Sequence, residues 1–480
     1  MTLRELLQGI EYNASIDLDI EVLDLTSDSR KVAEGSVFFC LSGTKFDAHA
    51  FAADAKKAGA VAVVGEKANE DGSVDIVVDN SRRGYAISCA NFYGRPQEKV
   101  KLVGVTGTNG KTTTSVLIKN ILEYAGFKTG LIGTISNFIG NEEIEANYTT
   151  PEPKEFYSLL CRMANAGVEY VVSEVSSHAL DQCRVEGCVF EAGVFTNLTQ
   201  DHLDYHGTME NYAEAKAKLF ANSKISIINA DDPASEKMLQ AVEGECLTYS
   251  VKSDEGDITA KNVSLKTAGI SYELVTRGNI ARISLGTPGM FNVYNSVAAA
   301  STAYALGIPL ETVKAALAPS AGVKGRLEVV PTETDYTVII DYAHTPDGLE
   351  NILRAVRDFA VGRVICLFGC GGDRDKTKRP LMGEVAAALS DYIFVTSDNP
   401  RTEDPDSIIE DILVGVKNSG TPYEVMVDRT EAIAAALAEA RTDDVVILAG
   451  KGHETYQILN SGKIHYDERE KVAEILANMK

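Results

Sequence analysis

The chain lacks several features that would assign it to a specialised class of protein. No apolar run approaches the ~18 residues that a membrane-spanning helix needs, and the opening stretch MTLRELLQGIEYNAS contains no apolar signal-peptide region. The eight cysteines form no C-x-x-C pair, which argues against a zinc knuckle or a disulfide framework. A net charge of −23 disfavours nucleic acid and anionic membranes as partners. We therefore expect a cytoplasmic protein that binds any anionic ligand in local basic pockets.

Short apolar runs rich in Val and Ile alternate with helical patterns along all 480 residues, which predicts an α/β fold with mostly parallel sheets. Many of these runs end in polar groups, namely GTNGKTT, SEVSSH, DYAHTP, GCGGDRDK, SDNPR and AGKGHE. Ligands of open parallel sheets lie outside the carboxyl ends of the strands. The length suits about three domains, and turn-rich breaks place their predicted boundaries at 1–98, 99–325 and 326–480. Alternating polar and apolar residues over 250–285 predict a small antiparallel insertion.

The stretch VGVTGTNGKTTT, residues 103–114, indicates a phosphate-binding loop between a strand and a helix. Glycines let backbone amides surround a phosphate, Lys111 can bridge its oxygens, and the Thr112 hydroxyl can bind Mg²⁺. The loop departs from G-x-x-x-x-G-K-[ST] because Val105 stands at the first glycine position and the glycine falls at Gly107. The alternative is a tight turn with an accidental lysine. Motors, switches, kinases and ligases share such loops, but no Asn-Lys dipeptide is present to begin the base-reading motif of a regulatory GTPase.

Two polar segments at predicted strand ends contain candidate metal ligands. Carboxylates suit hard Mg²⁺, and an imidazole can complete the shell of a second metal ion. A single histidine in a loop is more often structural, whereas two such clusters beside a phosphate loop favour metal binding. The candidates in SEVSSH and NLTQDHLDYHG are Glu174, His178, Asp201, His202, Asp204 and His206.

One lysine is predicted to point inward from a helix. In ENYAEAKAKLFANS, helical spacing places Lys216 on the apolar stripe with Tyr212, Leu219 and Phe220, whereas Lys218 falls off it. Burial favours the neutral amine, which can react with carbon dioxide to form a carbamate and so become an anionic metal ligand. The alternative is a lysine whose ammonium reaches solvent along the helix face.

The segment TSDNPRTEDP, residues 396–405, places an arginine at a stiff corner. Pro400 fixes its own φ and restrains Asn399 to extended conformations. Arg401 then presents a planar fork suited to a carboxylate. One interpretation is a surface salt bridge to nearby acids, and the other is recognition of a substrate. The nearby acids are Glu403, Asp404 and Asp406.

In combination, these motifs resemble the Mur ligases, the ATP-dependent amide-bond ligases of bacterial peptidoglycan synthesis. The motifs GTNGKTTT, EVSSH, DH, YAEAKAKLF, FNVYNSVAA, GRLE and DYAHTPDGLE occur in the family's order over essentially the full length. The resemblance implies three domains: an N-terminal domain for the uridine end, a central ATPase with a P-loop-type parallel sheet, and a C-terminal Rossmann-like domain for the incoming amino acid. It also implies that ATP activates a carboxylate as an acyl phosphate, which an amine then attacks.

The resemblance assigns roles to individual positions. It implies that TSDSR, TTPEP, GDRDKTKRP, DNPR and GKGHE serve a member that adds the third amino acid, meso-2,6-diaminopimelate, to UDP-N-acetylmuramoyl-L-alanyl-D-glutamate, with ATP and two Mg²⁺ ions. Catalytic residues would be Lys111, Lys216, Glu174 and His202, with Thr112, Glu174, His202 and carbamylated Lys216 at the metals. ATP would contact Gly107, Thr108, Asn109, Gly110, Lys111, Thr112, Thr113, Asn292, Asn295, Arg326 and Asp341. The nucleotide-sugar dipeptide would contact Ser29, Thr44, Lys45, Phe46, Thr149, Thr150, Ser176, Gln182 and Arg184. Diaminopimelate would contact Arg374, Asp398, Asn399, Pro400, Arg401, Gly450 and Glu454.

Three other functions are compatible with parts of this pattern. A related ligase could add L-lysine, whose far end has only an ammonium and lacks the carboxylate that an arginine fork attracts. A folylpolyglutamate synthetase shares the ATP-binding core but does not call for TSDSR, TTPEP or DNPR. An ATP-driven switch would hydrolyse nucleotide without forming a bond. We expect a monomer that binds neither nucleic acid nor membrane.

Overall fold

The computed structural model describes residues 1–43, 47–266, 269–319, 322–417 and 419–479. These residues form two compact units, one containing Met1–Ile258 with Ala298–Pro309 and the other containing Thr259–Val297 with Leu310–Lys480. The α/β fold predicted from the sequence is confirmed. No helix in the described ranges is both long and apolar enough to cross a lipid bilayer.

The N-terminal part of the first unit is built on a five-stranded sheet in the order β1-β5-β4-β3-β2. All neighbours in this sheet are parallel except β1 and β5. The apolar side chains of the strands pack against short helices. The elements are α1 (Leu3–Leu6), β1 (Tyr12–Ala14), β2 (Asp24–Thr26), β3 (Ser36–Phe39), α2 (Ala52–Lys57), β4 (Ala60–Gly65), β5 (Ile76–Val78) and α3 (Ser81–Phe92).

The rest of the first unit is built mainly on eight strands of a larger sheet, in the order β13-β12-β11-β6-β10-β7-β8-β9. It is parallel from β13 to β7 and antiparallel at β8 and β9. The elements are β6 (Lys101–Thr106), α4 (Lys111–Tyr124), β7 (Thr129–Ile132), β8 (Ser136–Ile139), β9 (Glu142–Glu145), α5 (Pro153–Asn165), β10 (Tyr170–Glu174), α6 (Ser177–Asp181), β11 (Phe190–Phe195), α7 (Leu203–His206), α8 (Met209–Ala221), β12 (Ser223–Asn229), α9 (Ser235–Gln240) and β13 (Glu245–Ser250).

Three antiparallel strands follow, as the alternating pattern over 250–285 predicted. Their alternating residues are buried on one face, which is why the sequence shows a period of two. The strands are β14 (Ile258–Lys266), β15 (Gly269–Thr276) and β16 (Asn279–Leu285), and two helices come after them, α10 (Met290–Ala305) and α11 (Leu310–Leu317).

The C-terminal part has a six-stranded sheet in the order β17-β18-β22-β19-β20-β21. Only β17 is antiparallel, and a separate hairpin, β23 with β24, follows β22. The elements are β17 (Glu328–Val330), β18 (Thr337–Asp341), α12 (Pro346–Arg357), β19 (Val364–Phe368), α13 (Lys378–Leu389), β20 (Tyr392–Val395), α14 (Pro405–Val416), β21 (Tyr423–Val425), α15 (Arg429–Glu439), β22 (Val445–Ala449), β23 (Tyr456–Leu459), β24 (Gly462–His465) and α16 (Glu468–Met479).

Candidate active site

Polar segments meet at the carboxyl edge of each large sheet. In the first unit, the loops after β11, β6, β10 and β7 are neighbours because the strands are adjacent in that order. In the second unit, the loops after β18, β22, β19 and β20 are neighbours for the same reason. Carboxyl ends of adjacent parallel strands form the crevice in which α/β proteins bind ligands. Each unit therefore presents its own candidate site.

The phosphate loop connects β6 to α4 through two glycines with positive φ. Gly110, at φ 84°, occupies the cap position before α4. Gly107, at φ 149°, has no room for a Cβ, which would overlap the hydroxyl of Thr196. The Lys111 ammonium donates to the carbonyls of Gly107 and Thr108, both at 2.8 Å. Because the first amides of a helix have no intrahelical acceptor, α4 begins with donors suited to a phosphate.

The loop after β11 holds the other side of the phosphate loop. The backbone amide of Asn109 donates to Asn197 Oδ1 at 2.9 Å. The Thr108 hydroxyl lies 3.2 Å from the carbonyl of Thr199 and 3.1 Å from the Tyr212 hydroxyl. These contacts fix the conformation of the loop.

Thr112 and Glu174 bring two oxygen donors together beside this loop. The Thr112 hydroxyl donates to Glu174 Oε2 at 3.0 Å, although the two residues come from α4 and the end of β10. Thr134, which follows β7, also binds Glu174 through its amide and its hydroxyl, both at 2.9 Å. The next residue along α4, Thr113, is half-buried in the first turn.

The oxygen donors of Thr112 and Glu174 are of the kind that Mg²⁺, the metal ion expected from the sequence, prefers. Within the described ranges, no group of three or more His, Cys, Asp or Glu side chains is placed to hold a metal ion. Mg²⁺ is usually bound by one or two carboxylates together with substrate phosphates and waters, not by a complete protein cage. The pair of Thr112 and Glu174 therefore fits a Mg²⁺ ion that arrives with a nucleotide.

His202 lies in a cluster of aromatic rings after β11. Its ring centroid is 4.8 Å from that of His178 and 6.1 Å from that of Tyr212. Its Nε2 is 3.4 Å from Asp201 Oδ2, and its backbone is left-handed at φ 53°. Burial, together with the nearby imidazoles, lowers the pKa of His178 to about 4. His178 is therefore neutral at physiological pH.

Lys216 is buried, as the helical pattern predicted. Its side chain is 1% exposed, whereas the Lys218 side chain is 50% exposed and pairs with Asp181. The Lys216 Nζ atom donates to the carbonyl of Gly107 at 2.9 Å and lies 4.5 Å from the Tyr212 ring centroid. Burial lowers the pKa of Lys216 well below its usual range, and the nearby Lys111 ammonium lowers it further. The amine is therefore predisposed to be neutral, which a carbamate requires.

Five of the residues predicted for the nucleotide-sugar dipeptide lie together, two of them after β9 and three after β10. The Arg184 guanidinium donates to Gln182 Oε1 at 2.8 Å and to the carbonyl of Thr150 at 2.9 Å. The Ser176 amide donates to the Thr150 hydroxyl at 3.0 Å. Thr149 accepts from Thr134 at 3.0 Å, which connects this group to Glu174.

Two parts of the predicted dipeptide site lie elsewhere in the sequence. Ser29 is half-buried at the start of a short 3₁₀ turn in the N-terminal sheet region. Thr44, Lys45 and Phe46 lie outside the described residues.

The residues predicted near adenosine belong to the second unit. Asn292 and Asn295 are buried on α10, with Asn292 Nδ2 donating to the Pro288 carbonyl at 2.8 Å. The Arg326 guanidinium lies 5.2 Å from the ring centroid of Tyr342. Asp341, at the end of β18, accepts backbone amides at 2.7 and 2.8 Å, and burial raises its pKa.

The corner at Pro400 holds Arg401 through backbone contacts. Arg401 has φ 55°, and its amide donates to the Ile458 carbonyl at 3.0 Å. Its guanidinium donates to the Gly372 carbonyl at 2.8 Å. In the part of the chain that the structure describes, this guanidinium forms no ion pair with a carboxylate. The surface salt bridge that was the alternative interpretation is therefore not formed among the described residues, and Glu403 pairs with Arg379 and Lys376.

The other residues predicted for the amino acid surround this corner. Asn399 Nδ2 donates to Glu454 Oε2 at 2.8 Å, and Lys451, which is fully buried, lies 3.1 Å from the same oxygen. Asp398 is also buried, and its Oδ1 lies 3.6 Å from the Lys451 ammonium but accepts no hydrogen bond from the described residues. Gly450, at φ 117°, allows close approach because a Cβ there would lie 2.8 Å from Asp398 Oδ2. Arg374 is exposed on the loop after β19, with its guanidinium 3.4 Å from the Asp373 carbonyl.

Three family models match successive parts of the chain. They are described as the Mur ligase family catalytic domain at 22–88, the Mur ligase middle domain at 105–303, and the Mur ligase glutamate ligase domain at 325–452. The chain belongs to the Mur ligase family. This membership agrees with the three-domain α/β architecture expected from the sequence, whereas the boundaries at 98 and 325 stay a prediction.

Similar Mur ligases match this chain over its whole length. A protein of Clostridium acetobutylicum named UDP-N-acetylmuramoyl-L-alanyl-D-glutamate--2,6-diaminopimelate ligase 1 is 45% identical, with 100% of each chain covered. A Clostridium tetani protein named as the same kind of ligase is 46% identical, also with 100% of each chain covered. A solved structure of a ligase of that name is 32% identical, with 100% of this chain and 99% of that chain covered and a TM-score of 0.74.

Three residues at these Mur ligase sites were missed by sequence reasoning. Thr134 follows β7, and only the strand order, which the sequence does not reveal, places it against Glu174. Lys451 stands within the polar segment AGKGHE, so its position at a strand end was an available signal. Arg379 lies on α13, and its burial depends on packing against another helix.

Proposed function

We propose that this chain is an ATP-dependent, ADP-forming ligase that adds meso-2,6-diaminopimelate to UDP-N-acetylmuramoyl-L-alanyl-D-glutamate. The observation that carries the proposal is 45–46% identity, over the full length, to proteins named as that ligase. The product is a precursor of peptidoglycan. The nucleotide substrates suit a cytoplasmic enzyme, and we propose that it acts as a monomer.

The first half of the reaction activates a carboxylate. The γ-phosphate of ATP lies over the first amides of α4, and Lys111 leaves its loop carbonyls to bind phosphoryl oxygens. An oxygen of the D-glutamyl side-chain carboxylate attacks the γ-phosphorus, the bond to ADP breaks, and an acyl phosphate forms. Arg184 and the two threonines at 149 and 150 orient the dipeptide for this attack. Asn292, Asn295, Arg326 and Asp341 bind the adenosine end.

Metal binding at this site involves three protein positions besides Thr112. Glu174, His202 and a carbamate on Lys216 would hold two Mg²⁺ ions, which offset the negative charge where phosphoryl oxygens crowd together. Support for the carbamate comes from the burial of Lys216 and from its lowered pKa, since only a neutral amine attacks carbon dioxide. The resulting anion would also remove the electrostatic cost of two neighbouring cations at Lys111 and Lys216.

The second half of the reaction captures the acyl group. The amine of the incoming amino acid attacks the acyl carbon, phosphate leaves, and the nitrogen loses a proton to give the amide. Arg374 and Arg401 bind carboxylates of diaminopimelate, and Glu454 binds its distal ammonium. Asp398, Asn399, Pro400 and Gly450 shape this pocket. L-Lysine offers no distal carboxylate, so the Arg401 fork selects against it.

The test measures phosphate release and product mass with ATP, Mg²⁺ and the nucleotide-sugar dipeptide. The proposal predicts that both require meso-diaminopimelate and that the product gains one diaminopimelate residue. Phosphate release that is independent of any amino acid would instead indicate an ATP-driven switch. Product formation with L-lysine at equal efficiency would indicate the lysine-adding alternative.

A further inference from the structure

Two loops that follow neighbouring strands are joined through their backbones. The first loop, residues 369–376, follows β19 and carries Arg374, and the second, residues 396–403, follows β20 and carries Arg401. The Gly372 amide donates to the Asn399 carbonyl at 2.9 Å, and the Gly372 carbonyl accepts from Arg401 at 2.8 Å. A Cβ at Gly372 would overlap the carbonyl of Pro400, so the backbones of the two loops are in van der Waals contact and leave no room for a side chain.

Side chains join the same two loops a second time. Asp373 accepts from the Thr402 hydroxyl at 2.7 Å and from the Thr402 amide at 3.2 Å. In the opposite direction, Glu403 accepts the Asp373 amide at 2.6 Å. The position of one arginine therefore depends on the position of the other.

Arg379 lies beneath both loops with no exposed surface. Its guanidinium donates to the two oxygens of Glu403 at 3.0 and 3.2 Å, to Asp411 at 2.9 Å, and approaches the Gly371 carbonyl at 3.4 Å. This places one rigid fork in contact with the first loop, the second loop and helix α14. Arg379 and Lys376 hold the pKa of Glu403 at about 2, so the carboxylate is charged at physiological pH.

The Arg379 side chain is fully buried, whereas the Glu403 side chain keeps 17% of its surface exposed. Such a pair contributes little net stability compared with apolar packing, because the buried guanidinium loses its hydration. Its clearest physical effect is geometric, since a bidentate guanidinium fixes the orientation of its partner. A lysine could not reproduce this arrangement, because a single ammonium lacks the planar fork that spans both oxygens of Glu403 while also reaching Asp411.

We propose that Arg379 and Glu403 are positioning residues that set the spacing of Arg374 and Arg401 and thereby the selection of an amino acid with a distal carboxylate. This inference rests on the proposed function. Neither residue touches the substrate. Both act through the two loops, so they affect the binding of diaminopimelate and leave ATP binding unaffected.

The test compares Arg379→Lys and Glu403→Gln with the wild type in the complete ligase reaction. We expect the KM for meso-diaminopimelate to rise roughly ten- to a hundredfold, because small displacements of binding groups cost about that much. We expect kcat at saturating diaminopimelate and the KM for ATP to stay within about twofold. The kcat/KM for L-lysine should not fall, because L-lysine has no distal carboxylate for the displaced arginines to bind.

A comparison of combined variants distinguishes positioning from general destabilisation. If Arg379 acts only through Arg374 and Arg401, then adding Arg379→Lys to a variant that already carries Arg374→Ala and Arg401→Ala should raise the KM by less than about twofold more. The matched control is Arg363→Lys, since Arg363 precedes β19 at the opposite end of the strand and pairs with Glu439 and Asp444. That control should leave the KM for diaminopimelate unchanged.

Thr402→Val provides a variant that leaves the charges of Arg379 and Glu403 unchanged. Thr402 is exposed, and the substitution removes only its hydroxyl bond to Asp373. It should also raise the KM for meso-diaminopimelate. If Arg379→Lys and Glu403→Gln do not fold, the KM of Thr402→Val tests the inference. An unchanged KM in the folded variants, even with a lower melting temperature, would overturn the inference. Wild-type enzyme that releases no phosphate with diaminopimelate would overturn the proposed function itself.

Discussion

Lys216 and Arg401 are basic residues near the carboxyl edges of different parallel sheets, and each donates a hydrogen bond to a backbone carbonyl. Lys216 donates to Gly107 at 2.9 Å and Arg401 to Gly372 at 2.8 Å. They differ in what can happen to the charge. Lys216 is buried near a second ammonium and can lose its proton, whereas the guanidinium of an arginine keeps its proton in proteins.

This difference shows two ways in which a protein holds a basic side chain that has no carboxylate partner among the described residues. A lysine in such a place becomes a neutral nucleophile that can be converted into an anion. An arginine in such a place remains a cation, and only a ligand can supply the missing charge. The first arrangement suits catalysis that needs a new metal ligand, and the second suits recognition of a substrate carboxylate.

The largest expected effect concerns Arg401 and its recognition of a substrate carboxylate. Arg401→Ala should lower kcat/KM for meso-diaminopimelate about 10²- to 10⁴-fold, because two charged hydrogen bonds at about 1.5 to 3 kcal/mol each are lost. The KM for ATP should not change. Steady-state kinetics with each substrate varied in turn provides the measurement, and Arg441→Ala, at an exposed arginine of the same unit, is the control. Unchanged kinetics in Arg401→Ala would remove its role in binding.

The next largest effect concerns Lys216 and its role in catalysis. Lys216→Ala should lower kcat about 10²- to 10³-fold, the usual cost of removing one group that stabilises charge in a transition state. Short carboxylates should restore part of the activity, and removal of carbon dioxide should slow the wild type. Lys218→Ala, on the exposed face of the same helix, should stay active. A fully active Lys216→Ala variant would eliminate the carbamate.

A smaller effect concerns Gly107, whose carbonyl accepts a hydrogen bond from Lys216. Gly107→Ala should lower the free energy of unfolding by about 1 to 3 kcal/mol, because the new Cβ overlaps the Thr196 hydroxyl. It should also weaken nucleotide binding. Gly126→Ala is the matched control, since Gly126 also has a positive φ but has open space around its Cβ position. Chemical denaturation of both variants makes the comparison, and equal losses would mean that backbone strain alone accounts for the effect.

The smallest effect is a pH dependence that separates the lysine from the arginine. The pKa of Lys216 is lower in the folded than in the unfolded chain, so the unfolded chain binds more protons between these two values. Lys216 therefore makes stability rise with pH, by at most about 1.4 kcal/mol per pH unit. Lys216→Met should be more stable than wild type in bicarbonate-free buffer, by a margin that shrinks as the pH approaches about 10.

The corresponding control for the arginine is Arg401→Met. Its stability difference from the wild type should not depend on pH over the same range, because the guanidinium stays protonated. Parallel stability curves for Lys216→Met and wild type would contradict the lowered pKa of Lys216.

Local patterns were sufficient to predict the features that depend on chain periodicity. The 3.6-residue period placed Lys216 inside and Lys218 outside, and the period of two predicted the antiparallel strands over 250–285. The glycines of the phosphate loop were also readable, because their spacing before Lys111 reflects the turn between β6 and α4. The polar segments that follow several parallel strands lie at the carboxyl edges of the sheets, as their positions in the sequence predicted, whereas the roles of their residues stay predictions.

Contacts that depend on tertiary packing were beyond the sequence. Glu403 was a reasonable salt-bridge partner for Arg401, but it pairs with Arg379 instead. That pairing requires α13 and α14 to cross closely, which Gly383 and Gly415 permit because a Cβ at either would overlap backbone of the other helix. Such a crossing leaves no periodic signal. The contact of Thr134 with Glu174 similarly depends on the order of strands in the sheet.

The most direct test of the central claim is a competition between two amino acids. Wild-type protein receives ATP, Mg²⁺, the nucleotide-sugar dipeptide and equal concentrations of meso-diaminopimelate and L-lysine, and mass spectrometry measures the ratio of the two products. The Arg401 fork, which pairs with no carboxylate among the described residues, predicts an excess of the diaminopimelate product of about a hundredfold or more. Comparable amounts of the two products would contradict the account.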